Sequence, residues 1–255
     1  MEIMATQLVL FLLIFARIMA LVSAAPVFGN QNIPVQVKIG IGFFISFVMF
    51  PMLSQKAPQV DVRLFPMAVM MLHEVLIGLL IGFAAGLIFA GVRYAGELVS
   101  FMMGFSLASV IDPESGGQNR VTGEFMYLAT LLVFLMINGH HFLLEALQMS
   151  YVTVPTGGLA LTGPVFDKMI DLGGIVFIIA VKLAAPVLVA LFMINVALSI
   201  LARVSPQMNV FILSFPLTIG VGMLVLITTA PLIVFVFKKS LMSFEEGLLE
   251  LVKVM

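Results

Sequence analysis

The chain has 255 residues, of which 62% are hydrophobic and 10% charged, with a formal net charge of -1 and a mean hydropathy of +1.22. That composition belongs to an integral membrane protein and excludes a soluble core, and the balanced charge, without any Lys/Arg block, excludes a nucleic-acid surface. Cys is absent, which excludes disulfides, thiolate metal sites and cysteine nucleophiles.

Six apolar segments are predicted as long helices: Ala5 to Ala25, Val37 to Leu53, Met67 to Val92, Phe125 to Leu147, Gly173 to Leu201 and Val210 to Phe237. Each approaches or exceeds the length that crosses a bilayer. The first superficially resembles a signal peptide up to Ser23-Ala24-Ala25. Its start carries Glu2 and no basic residue, and Arg17 interrupts the run, so a retained helix is predicted. At a helix centre Arg17 costs about 2.5 to 3.5 kcal/mol, which the surrounding Leu, Ile, Phe and Val offset. Arg17 is therefore expected to find an acidic or carbonyl partner, or to snorkel.

On the third segment Gly78, Gly82, Gly86 and Ala90 recur every four residues and form one smooth stripe for close helix packing. This reading is favoured over the ordinary Gly enrichment of membrane helices. His73-Glu74 lacks the second His of a zincin helix and is no metalloprotease motif.

The next stretch, Leu98 to Ile111, is uncharged, apolar and too short to span. It runs into Asp112-Pro113-Glu114-Ser115-Gly116-Gly117, where helix cannot easily continue. Such a segment is re-entrant, buried against protein or lining a cavity. Within it Met102-Met103 precedes Gly104-Phe105, a Gly hinge beside bulky flexible side chains, as a movable plug requires. Most of the 19 Met residues are read as apolar filler.

Near the end of the fourth segment stand His140, His141 and Glu145. His141 and Glu145 share a helix face and could pair or relay a proton, but at a span end capping and packing are favoured. On the fifth segment Lys182 calls for a partner as Arg17 does. Pro186 breaks a backbone hydrogen bond and Asn195 adds a polar group, so this helix is predicted to be kinked and packed against protein. No triad, phosphate loop or carboxylate pair emerges, so neither enzymatic activity, nor a cofactor, nor a metal site is predicted.

Orientation is weakly specified. Six cationic residues fall on the side of the termini and four on the other, although Lys238-Lys239 after the last span favours a cytoplasmic C-terminus. With no Trp, three Tyr and 23 Phe the chain lacks an aromatic belt, which suits a surface used for subunit contacts as well as lipid. The expected fold is an all-α membrane protein, a single domain over residues 1–255, with about six long hydrophobic helices in hairpins and a short non-spanning segment, 98–119.

Several stretches carry a family resemblance: Ala25-Pro26 with Pro34, EVLIGLLIG from Glu74, RYAGELVSFMMGFSLASVIDP from Arg93, Asn138-Gly139-His140, and RVSPQMNVFILSFPL from Arg203. In that order and over nearly the whole chain, the sequence resembles the FliR family of the bacterial flagellar export gate, related to a subunit of virulence type III secretion. Met102 departs mildly, standing where such sequences often have Gln. The resemblance implies a non-enzymatic subunit, one copy per gate, assembled with FliP and FliQ into a helical cone, with FlhB and FlhA as neighbours. Such a gate sits at the flagellar basal body, largely raised above the inner membrane, with tilted hairpins and contact to membrane lipid. It passes unfolded flagellar substrates on energy supplied by an ATPase and the proton motive force. The resemblance also maps a channel plug onto Met102, Met103, Gly104, Phe105 and the turn Asp112 to Asn119. The alternative is a proton-coupled transporter of a small solute, drawing on Arg17, Lys182, Glu74 and His140-His141; the absence of an internal repeat argues against it.

Overall fold

A computed structural model describes residues 2–30, 32–54, 63–105, 121–158, 163–207 and 209–255. The described residues form helices α1 (Glu2–Ala24), α2 (Val35–Ser54), α3 (Leu64–Met103), α4 (Val121–Met136), α5 (Gly139–Thr153), α6 (Gly163–Val204) and α7 (Val210–Val254), and contain no strand. The protein is all-α. Among the described residues five helices are long and apolar enough to cross a membrane, or six if α4 and α5 count as one broken span. At 1.5 Å per residue the 40, 42 and 45 residues of α3, α6 and α7 extend about 60 to 68 Å. That is roughly twice the hydrocarbon thickness of about 30 Å, so each reaches beyond the bilayer core or crosses it at a steep tilt.

Proline and asparagine set the helix ends. α1 stops just before Pro26, and the chain turns with Gly29 N–H donating to the Ala25 carbonyl at 2.7 Å. α2 starts after Pro34, whose carbonyl accepts from Val37 and Lys38. Asn209 opens α7: its carbonyl and side-chain oxygen accept from Ile212 N–H at 3.1 and 3.4 Å, a capping arrangement.

Two sequence expectations need correction. The fourth apolar segment is not one helix: α4 and α5 meet at a bend of 71°. Asn138 sits there in the left-handed conformation, φ 60°, which Asn tolerates better than most residues. The short apolar segment does not begin at Leu98 as an element of its own, since residues 98–103 are the end of α3. Helix continues through Arg93, Gly96 and Glu97, and Gly96 lies tightly against α4. A Cβ on Gly96 would stand 2.4 Å from the Gly123 Cα.

The chain divides into two compact units. The first comprises Met1–Leu87, Leu135–Gly173 and Ser243–Met255. Its core joins Leu13, Ile14 and Ile18 of α1 to Ile77 and Ile81 of α3, Leu143 and Leu147 of α5, and Leu248 and Leu251 of α7. The second comprises Ile88–Phe134 and Gly174–Met242, with Phe89 meeting the rings of Tyr127, Phe134 and Phe237 at 5.2 to 6.0 Å.

The glycine stripe on α3 is only half used. Gly78 and Gly82 fit directly onto α1, where a Cβ would lie 2.2 Å from the Arg17 carbonyl and 2.7 Å from the Ala24 Cβ. Gly86 has only the Ala24 carbonyl at 4.0 Å, and Ala90 is exposed. The stripe drifts because 3.6 residues per turn is not four. The close approach in the second unit passes to Gly91, which faces Val176 and Ile179 of α6, and to Gly96.

Candidate functional site

Two arrangements in the described residues merit functional attention, one in each unit. In the first unit Arg17 and Glu74, both fully buried, form a two-pronged ion pair: Nε donates to Oε2 at 2.6 Å and Nη2 to Oε1 at 3.1 Å. Nη1 donates to the Ser150 carbonyl at 3.0 Å and to its Oγ at 3.2 Å, and Nη2 also donates to the Val154 carbonyl at 3.2 Å. All five guanidinium N–H groups therefore have acceptors, the most that this side chain can use. Glu74 Oε1 accepts further from Gly157 N–H at 2.9 Å.

The turn after α5 is held from both sides. His73 lies 3.0 Å through Nδ1 from the Gly157 carbonyl, and since a carbonyl only accepts, Nδ1 carries the proton. Tyr151 lies under the guanidinium, 4.1 Å from ring centroid to Cζ, and donates its hydroxyl to the Ile14 carbonyl at 3.1 Å. Gly157 is at φ +82°, where a side chain would be strained and would also meet Met70. The cluster pins α1, α3, α5 and the following turn together. It has no spare donor for a ligand and is a lock. Sequence pointed to Arg17, Glu74 and His73 singly; Ser150, Val154 and Gly157, more than 80 residues from their partners, carried no local signal.

Lys182 differs from Arg17. It is exposed on α6 and makes no ion pair among the described residues, so the expected buried charge is corrected: the chain itself does not cover that face. Pro186 lies half-buried within the continuous helix α6. His141 and Glu145 are both exposed and share no hydrogen bond; the His141 ring packs instead on His140, centroids 4.3 Å apart. Among the described residues no group of three His, Asp or Glu could hold a metal ion.

In the second unit the end of α3 is anchored on α7. Met103 is fully buried, and its side chain occupies the space a Cβ on Gly222 would take, 2.5 Å from the Met103 methyl. Its carbonyl lies 3.0 Å from the Thr218 hydroxyl, which is also 2.9 Å from the Ser214 carbonyl. That single O–H is shared between the end of α3 and the body of α7. Gly104 then turns at φ +90° beside the Phe215 ring, 3.1 Å from an added Cβ. Met102 and Phe105 are half-buried. Asp112, Pro113, Glu114, Ser115, Gly116 and Gly117 lie outside the described residues.

Residues 8–244 match the model of a protein family described as bacterial export proteins, family 1. The flagellar biosynthetic protein FliR of Bacillus subtilis is 36% identical over 236 residues, covering 91% of this chain and 90% of that protein. FliR of Escherichia coli is 36% identical over 85% of this chain and 82% of its own length. The Yop proteins translocation protein T of Yersinia pestis is 28% identical over 89% of this chain and 87% of that protein. A match covering nearly the whole chain, on an all-α fold with membrane-length helices, places this chain in the bacterial export protein family of FliR.

Proposed function

We propose that this chain is a non-enzymatic core subunit of a flagellar type III export gate in the inner membrane. In this reading it assembles with FliP- and FliQ-like chains, beside FlhB and FlhA, into a conduit for unfolded flagellar proteins. The observation that carries the reading is the family match over residues 8–244. The surface supports it: the most apolar windows of α2 and α7 are only 11% buried within the chain, leaving broad helical faces for neighbours or lipid. Native extraction in mild detergent tests the assembly. The expected result is co-purification with FliP- and FliQ-like chains in unequal stoichiometry; isolation alone or as a symmetric oligomer that moves a small solute overturns it. The transporter reading gains nothing from Arg17 and Glu74, which are paired with each other in the lock, all five Arg17 donors being engaged.

Within the gate, Met102 to Phe105 and the turn Asp112 to Asn119 form the plug, of which Met103 is the fixed base and the part from Gly104 onward is what moves. Met103 is an anchor on α7, so movement starts at Gly104. Single cysteines in this Cys-free chain test the gate. Phe105→Cys and Ser115→Cys change in thiol labelling when an export substrate is trapped, whereas Met103→Cys stays protected throughout. Unchanged labelling at Phe105 and Ser115 in a loaded complex overturns the plug.

A further inference from the structure

In the first unit α2 and α5 border an open groove of about 510 Å³. One wall is apolar: Phe44, Val48 and Met52 of α2, 68%, 60% and 48% exposed, at four-residue spacing. The opposite wall is mixed, with His141, Glu145 and Gln148 of α5 exposed along one helix face and the apolar Leu144 between them. Such a groove accepts the ridge of another helix that is mainly apolar and carries a polar group where it meets Glu145.

The charges select the occupant. Glu145 makes no ion pair among the described residues, and α5 carries no Lys or Arg. The sole cation of α2, Lys38, donates to the Gly29 carbonyl at 3.1 Å. The charge of Glu145 also opposes that of Glu245 on α7, so negative potential adds here, and the described residues of α2 and α5 bring no free Lys or Arg to offset it. Beside an apolar wall a bare carboxylate is costly, and ionisable groups at membrane-spanning helices pair with one another. We infer that the groove between α2 and α5 receives a helix of a neighbouring subunit that sets a Lys or Arg against Glu145. This rests on the reading of the chain as one subunit of an assembly.

The full chain in its native complex tests it. With p-benzoylphenylalanine at Gln148, irradiation is expected to yield an adduct with a different subunit, mapped to a helix bearing a Lys or Arg. Glu145→Lys is expected to lower recovery of the complex tenfold or more while leaving the amount of this chain in the membrane unchanged. Glu145→Gln should lower recovery less, and exchanging the mapped cation for Glu should restore the Glu145→Lys complex. An adduct with lipid or with a second copy of this chain overturns the inference, as does full recovery of the Glu145→Lys complex or no adduct at all. Should the unmodified chain co-purify with no export subunit, the assembly reading falls first and the inference with it.

Discussion

At the residue scale Arg17 is the side chain on which most depends. Replacing it by Ala leaves the Glu74 carboxylate buried without its cation, a loss of about 3 to 5 kcal/mol, read as a lower unfolding temperature in detergent and reduced membrane yield. Arg17→Lys keeps the charge yet offers three donors where five are engaged. It should lose about 1 to 3 kcal/mol for each acceptor left bare. Replacing both partners by apolar residues, Arg17→Met with Glu74→Leu, should be milder than Arg17→Ala, since no orphan charge remains. A double variant less stable than the single one would show that the lock contributes more than mutual neutralisation.

At the element scale, glycines on one helix type should respond in opposite directions. Gly78→Ala drives a Cβ to 2.2 Å from the backbone carbonyl of Arg17, a clash with backbone that costs about 1 to 3 kcal/mol. Gly220 on α7 has nothing within 4 Å in this chain, and Gly220→Ala should gain up to about 1 kcal/mol in helix propensity. Thermal unfolding of the isolated chain separates the two. The break between α4 and α5 makes a third case: Asn138 at φ 60° accepts Gly easily, whereas Asn138→Val, β-branched, should cost about 1 to 3 kcal/mol. Hydropathy located the helices because apolar runs are local. It missed this bend because the apolar runs on either side were joined across Asn138-Gly139-His140-His141, a polar, turn-prone stretch that marks the break. It likewise cut α3 short at Arg93, because Arg93 and Glu97 end the uncharged run, whereas the packing of Gly96 on the distant Gly123 leaves no local signal.

At the scale of the whole molecule, large apolar residues such as Phe44, Phe47, Leu64 and Phe65 stay 65 to 83% exposed. Produced alone, the chain should run as polydisperse material on size exclusion in mild detergent. Co-production with its export partners should give one sharp species and a higher unfolding temperature, as binding to the folded state requires. The membrane character, most of the helices and the need of Arg17 for an acidic or carbonyl partner were legible in sequence; that the partner is Glu74 was not. The partition into two units and the anchoring of Met103 were not, because both arise from packing between residues far apart in the chain, such as Met103 with Gly222.

The lock around Arg17 also sets an order in time. Glu74 follows Arg17 by 57 residues and Ser150 by 133. At ribosomal speeds of about 5 to 20 residues per second, the carboxylate is made about 3 to 11 s later and Ser150 about 7 to 27 s later. Until Glu74 is made α1 carries a cation with none of its final partners, its cost in the bilayer offset only by the apolar residues around it. Its final seating is a late event in biogenesis, triggered by α3 and completed only when α5 and the turn through Gly157 arrive.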